Sequence, residues 1–208
     1  MKTREEIKLS AKQAFYEKYW MSVGVLVVYI LIVSAASYTG VGALILAGPM
    51  VIGLNSFFLK RYRGMEASFD TMFTDGFTNF GRNLGGYLWM ELFLMLWSLL
   101  FVIPGIIKAY SYAMTPFILA DCPNVKAKDA LKLSMRMMNG HKWEYFVFQL
   151  SFIGWNLLSA LTCGLLAIFY AGPYQVGSFA GYYSELKLLS LEQGVIDPAE
   201  LARYCPGK

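Results

Sequence analysis

Apolar residues fall in long blocks separated by short charged loops, and the block from Tyr87 to Ile103 sets the scale for the others. It is about as long as the roughly 20 apolar residues that cross a hydrocarbon core. Pro104-Gly105 stops it, and a second, shorter run leads through Ile106, Lys108 and Pro116 to Asp121 and a basic loop. That is the pattern of a membrane hairpin, and two more follow the same plan. Trp20–Tyr38 and Ala43–Leu59 are joined by Thr39-Gly40-Val41-Gly42, and Trp143–Thr162 and Leu165–Leu189 are joined at Cys163-Gly164. The pattern predicts an all-α, polytopic transmembrane helix bundle, with about six spanning segments in three hairpins plus amphipathic interfacial helices. Residues 20–192 form this single bundle, with Tyr19-Trp20 as an aromatic anchor at the headgroup level.

Three stretches have helical periodicity without spanning character. Residues 1–19 open with Thr3-Arg-Glu-Glu6, a capping box, followed by Ile7, Ala11, Ala14 and Phe15 on one face among lysines. This fits a cytoplasmic helix on a membrane surface or a soluble lead-in helix. In 65–86, Phe69, Phe73, Phe77, Phe80 and Leu84 recur every three or four residues between polar ones, which predicts an interfacial helix or pair. In 122–142, Asn124 can cap a helix from Val125 to about Asn139. Its apolar face holds Ala127, Ala130, Leu131, Ser134, Met135 and Met138, and Lys128, Lys132 and Arg136 line another. That basic face suits anionic membrane lipid or a solvated helix packed on the bundle. The polar residues 193–208 read as a short exposed cytoplasmic tail.

Composition sharpens this picture. The chain is 57% hydrophobic and only 15% charged, against roughly 25% charged in ordinary globular proteins. A net charge of +4, divided among loops, argues against a nucleic-acid partner. The charge reads instead as topology. Lys and Arg collect in the N-terminal helix, after span two and after Asp121, while the turns near Gly40, Gly105 and Gly164 have none within two residues. By the positive-inside rule both termini face the cytoplasm of a bacterial cell membrane. Ser34-Ala35-Ala36 mimics a signal-peptide cleavage site, but Glu5, Glu6 and Glu17 and the helical lead-in favour a retained first span. Cys122, Cys205 and Cys163 lack paired metal-ligand spacing and read as free thiols or small apolar fillers.

Two segments repeat: Ala47-Gly48-Pro49-Met-Val-Ile52-Gly53 and Ala171-Gly172-Pro173-Tyr-Gln-Val176-Gly177. Each falls in the returning helix of its hairpin, and Pro104-Gly105 is a weaker third copy. Interrupted helices in matching positions can mark a binding site, or simply let helices pack. Gly177 and Gly181 form a GxxxG that would permit close helix contact, including homo- or hetero-oligomerisation. Polar residues within the spans are the remaining leads. Glu91 lies about a turn inside the third span and Lys108 about a turn beyond Pro104-Gly105, near opposite faces of the membrane so that they cannot pair. Gln149 and Asn156 could join helices or line a pathway. His141 is the lone histidine, and no catalytic, metal-binding or cofactor-binding constellation is recognisable. The expectation is therefore a non-enzymatic protein without a cofactor. A small transporter or export factor using the Gly-Pro breaks is the alternative.

Trp97-Ser-Leu-Leu-Phe-Val-Ile-Pro-Gly-Ile-Ile-Lys108-Ala-Tyr-Ser-Tyr112 resembles a family of bacterial integral membrane proteins, common in Gram-positive organisms. So do Ile118-Leu-Ala-Asp-Cys-Pro123, Met138-Asn-Gly-His-Lys-Trp143, Leu150-Ser-Phe-Ile-Gly-Trp155 and Gly172-Pro-Tyr174. This is the domain-of-unknown-function nine-seven-five family. The resemblance implies a multi-pass membrane fold and brings no catalytic residues.

Overall fold

The computed structural model describes residues 2–100 and 102–205, and the secondary structure of these residues is helical throughout. Phe101, in the expected third span, and the last three residues of the tail lie outside the described residues. Helix α1 (Arg4–Glu17) opens on the expected capping box. The Thr3 hydroxyl accepts from the Glu6 N–H, and the Glu6 carboxylate accepts from the Thr3 N–H at 2.7 Å. Its apolar face, Ile7, Ala11 and Phe15, is buried within the protein, chiefly against the C-terminal long helix, so the chain itself covers that face.

The first hairpin pairs α2 (Tyr19–Ser37) with α3 (Val41–Tyr62), as expected to within two or three residues. Both are long and apolar enough to cross a membrane, as is the stretch Val102–Asp121. Pro49 lies inside α3, which continues through it. Helix α4 (Phe69–Phe77) packs back along α3, and α5 (Phe80–Leu100) runs on unbroken from the predicted interfacial segment. The 65–86 boundary is thus corrected: its last residues belong to the long α5, and only α4 is separate. At the α3–α4 crossing a methyl group on Gly53 would stand 1.9 Å from the Met72 carbonyl oxygen, and one on Gly76 2.5 Å from that of Pro49. Backbone meets backbone here, so glycine is required on both sides.

The expected stop at Pro104-Gly105 is corrected, because both residues lie inside a helix. Helix α6 (Val102–Tyr112) holds Pro104 and Gly105 in its first turn, where the missing proline N–H costs no intrahelical bond. Gly105 lies tight against Ser98 of α5. After a break at Ala113-Met114, α7 (Thr115–Asp121) begins with Pro116 near its N-terminus. Proline disfavours helical backbone in the preceding residue and cannot donate to the carbonyl four back. Ser134 bridges the break, donating to the Ser111 carbonyl at 2.8 Å and accepting from the Met114 N–H at 3.2 Å.

Ser134 belongs to α8 (Ala127–Met137), whose N-cap is Lys126. Asn124 is not the cap: its N–H donates to the Tyr204 carbonyl at 3.1 Å. The fifth segment is also corrected. It forms two nine-residue helices, α9 (Lys142–Leu150) and α10 (Ile153–Leu161), separated at Ser151-Phe152. Lys8 of α1 reaches this break, with Nζ 3.4 Å from the Ser151 carbonyl oxygen and 4.2 Å from the Phe152 ring centroid. A side chain entering the helical ladder in this way is a recognised cause of a kink.

Cys163 and Gly164 both take positive φ at the expected turn. The chain then passes through a π-helical turn, Ala167–Ala171, into α11 (Gly172–Glu192). Pro173 cannot donate to the carbonyl of Phe169, four residues back. The Tyr19 hydroxyl donates to that carbonyl instead, at 2.9 Å. The tail is not an exposed extension. It folds into α12 (Pro198–Tyr204), with Ile196 and Leu201 buried, and Cys205 is bonded to Cys122.

Burial is uneven along the bundle. The residues around α1, the end of α3, α7 and α11 form the core at the basic end. Toward the hairpin tips Leu31, Val41, Leu99, Val102, Ile103, Leu161 and Leu165 are exposed.

Two outcomes test this packing. Gly53→Leu should lower stability in detergent by about 3 kcal/mol, the upper end for overpacking, because backbone cannot give way; an unchanged melting temperature would refute the contact. The Glu6 carboxyl is held below its ordinary value by the Thr3 backbone N–H and then its hydroxyl. A depressed folded-state value means that the capping box stabilises α1 above the ordinary glutamate range and is lost as pH falls through the depressed one. Protection factors at residues 4–8, taken relative to intrinsic exchange at each pH, should therefore fall on acidification, and Glu6→Gln should flatten that response.

Candidate functional site

The strongest concentration of chemistry lies where α7 ends. Asp121 is fully buried, and a carboxylate in that position requires cationic partners. Arg63, just past the end of α3, forks onto it with Nη1–Oδ1 2.5 Å and Nη2–Oδ2 3.1 Å. Lys187 of α11 donates to Oδ2 at 2.5 Å, and the Tyr183 hydroxyl donates to the same oxygen at 3.1 Å. Burial lowers the Arg63 guanidinium, but the hydrogen bond and charge of Asp121 outweigh it and leave it above its ordinary value. Three chain segments are thereby tied together by one carboxylate.

The next residue carries the disulfide Cys122–Cys205, which replaces the expected free thiols. The cysteines are 83 residues apart, and closing a loop of that length contributes about 4–5 kcal/mol in the chain-entropy account. Lys187 Nζ lies 3.9 Å from the Cys205 sulfur. The ligand atoms of Asp121, Cys122 and Cys205 come within 4.8 Å of one another. With the sulfurs bonded to each other and the carboxylate holding two cations, the group fits an ion cluster beside a disulfide better than a cation-binding site. A groove of about 570 Å³ borders the cluster, lined in part by Lys2, Arg63, Glu185, Lys187 and Leu201, with Lys2 paired to Glu185 at 3.1 Å.

The expected site residues are dispersed by comparison. Gly48 and Pro49 lie buried in α3, Gly48 against Tyr87, and Gly172 packs on Leu26. Pro173 borders a void of about 10 Å³ with Arg61 and Tyr62, space for about one water. Asn156 accepts from Gln175 at 2.6 Å on an exposed face, which joins α10 to α11. Gln149 is half-buried in the last turn of α9. Glu91 is exposed on α5, and Lys108 lies over the Trp97 ring at 5.0 Å. The GxxxG face is occupied internally: Gly177 faces Phe58 and Ala11, and Gly181 faces Tyr62 and Ile7. It seats α11 on α1 and α3, so the oligomer contact expected there has no open surface. On α8, Arg136 pairs with Glu200 at 2.7 Å, Lys128 lies over Trp89 at 5.0 Å, and Lys132 lines an open bowl with Asp129 and Tyr204.

Comparison with known proteins bears on the stretch that holds Asp121. Residues 99–190 match the family model described as Protein of unknown function (DUF975). The match supports the resemblance read from the sequence motifs. No curated protein and no solved structure matches the chain. The DUF975 stretch contains Asp121, Cys122, Tyr183 and Lys187, whereas Arg63 and Cys205 come from outside it. The cluster therefore joins the DUF975 region to both flanks of the chain.

Sequence reasoning passed over Arg63, Asp121, Tyr183 and Lys187. One signal was present: Asp121 ends an apolar run, and a carboxylate there needs a partner. The cysteine pair left no signal, since spacing does not encode connectivity. Asp121→Asn should cost about 3–5 kcal/mol, because it strands buried cations. Combining Arg63→Met, Asp121→Leu and Lys187→Met should cost less than the single change, measured by thermal unfolding in detergent. A harmless Asp121→Asn would show that the cluster does not hold the three segments.

Proposed function

We propose that this chain is a non-enzymatic, multi-pass protein of the bacterial cell membrane that acts through contacts with lipid or other membrane proteins. The observation that carries this reading is the asymmetry of burial combined with α2, α3 and the α6–α7 stretch, each of spanning length and composition. The basic end is packed and ion-paired, whereas Leu31, Leu99, Ile103 and Leu161 toward the tips are 63–80% exposed, which suits hydrocarbon as solvent. The titratable groups that meet at Asp121 are committed to one another, which favours a structural role for them over acid–base chemistry. His141 is paired with Glu144 at 3.2 Å.

The basic end faces the cytoplasm in this reading, with Lys132 and its neighbours on α8 near anionic headgroups. Lys128 and Arg136 are partly engaged by Trp89 and Glu200, so their contribution is smaller than their number suggests. A transporter or export factor remains the alternative; it requires the helices around Pro173 to open well beyond the one-water void.

Neutralising Lys128, Lys132 and Arg136 together should lower retention of anionic over zwitterionic lipid by up to about fivefold per charge, read by native mass spectrometry. Unchanged retention would remove lipid contact from this face. In intact cells, an Asn139→Cys variant that also carries Cys163→Ala, which removes the exposed free thiol, should react with an impermeant maleimide only after lysis. Labelling from outside would reverse the proposed orientation.

A further inference from the structure

The disulfide and the charge pattern conflict unless the disulfide is not permanent. Cys122 and Cys205 lie at the basic end, which the positive-inside reading places in the cytoplasm. In that compartment disulfides are mostly transient and catalytic or redox-sensing. We propose that Cys122–Cys205 is a site of reversible thiol–disulfide exchange with a cellular dithiol, and that its state decides whether α12 stays docked on the bundle.

The surroundings fit this chemistry. Helix α12 has seven residues. Among the described residues its other ties are the Asn124 N–H to the Tyr204 carbonyl, the Asn124 side-chain amide to the Arg203 carbonyl at 3.5 Å, the Arg136–Glu200 pair at the surface, and the packing of Ile196, Leu201 and Tyr204. The exposed ion pair contributes little, so the covalent bond is the strongest single tie on α12. Both cysteines are at most 1% exposed, so attack follows local opening of α12. A thiolate of the dithiol then bonds to the Cys122 sulfur, the Cys122–Cys205 bond breaks, and Cys205 departs as a thiolate beside the Lys187 ammonium. A nearby cation stabilises a leaving thiolate, which is protonated afterwards. The second thiol of the reductant attacks the mixed disulfide and releases Cys122. Two electrons pass to the protein, and the dithiol leaves as a disulfide. Undocking removes Ile196 and Leu201 from the core and uncovers the Cys122–Val125 segment beside the Asp121 cluster.

The inference rests on the orientation proposed above, and the test separates the two. Full-length protein carrying Cys163→Ala is examined in intact cells and in inside-out membrane vesicles. Dithiothreitol added to the vesicles should yield two maleimide-reactive thiols without unfolding the bundle. Hydrogen exchange over residues 196–205 should rise at least about tenfold while residues 174–186 stay protected, and re-oxidation with diamide should reverse both. Cys122→Ser with Cys205→Ser should show the fast exchange in either condition. Lys187→Met should slow reduction and Lys187→Arg should restore it, a kinetic effect that a purely structural lysine would not produce. Cysteines that face inside yet resist dithiothreitol until the bundle unfolds would overturn the exchange alone, as would equal protection of α12 in both states. Reduction by an impermeant reductant from outside intact cells would overturn the orientation, and the reason for exchange with it.

Discussion

A carboxylate shut away from water constrains everything near it, and Asp121 imposes that constraint here. Its two oxygens are taken by Arg63, Lys187 and Tyr183, so the end of α3, the end of α7 and the second half of α11 must converge on one point. Helix α1 closes over the same end through Ile7, Ala11 and Phe15, and Arg61 of α3 donates to the Ala14 carbonyl in its last turn at 2.7 Å. Apolar burial alone would allow these helices to slide, since one greasy face packs on another in many registers. The charge cluster and the backbone crossing at Gly53 and Gly76 remove that freedom.

Chain breaks in this bundle are answered from neighbouring helices. The Phe169 carbonyl orphaned by Pro173 is met by Tyr19, the gap before Pro116 by Ser134, and the break at Ser151 by Lys8. In hydrocarbon an unmet backbone group is costly, which is why interrupted helices survive only where another element supplies the partner. The repeated Ala-Gly-Pro segments accordingly do different things: Pro49 sits inside an unbroken helix, whereas Pro173 follows a π-helical turn.

Most of the helical plan was legible because spanning blocks, Gly-Pro punctuation and the Thr3–Glu6 box are local signals. The first hairpin and the turn at Cys163-Gly164 came out nearly as expected for that reason. What was missed depends on distant partners. Residues 193–208 read as exposed because their polar composition conceals Ile196, Leu201 and a cysteine whose mate is 83 residues away. The fifth segment read as one span because nothing in its own sequence announces Lys8 arriving at Ser151. Gly177 and Gly181 signalled close contact correctly, but could not say that the contact is with α1 and α3. Among the candidate site residues, Asn156 bonds α10 to α11 through Gln175, while the densest charge cluster formed from residues whose individual surroundings looked ordinary.

The central claim is that a packed, ion-paired basic end stands at one membrane surface while the apolar hairpin arms lie in lipid. Spin labels placed at Leu31, Leu44 and Leu157, one at a time in lipid nanodiscs, test it most directly through collision with oxygen and with a water-soluble nickel chelate. The account predicts high oxygen and low chelate accessibility at all three, with the reverse at Asn139. Chelate accessibility at Leu31 and Leu157 equal to that at Asn139 would contradict it.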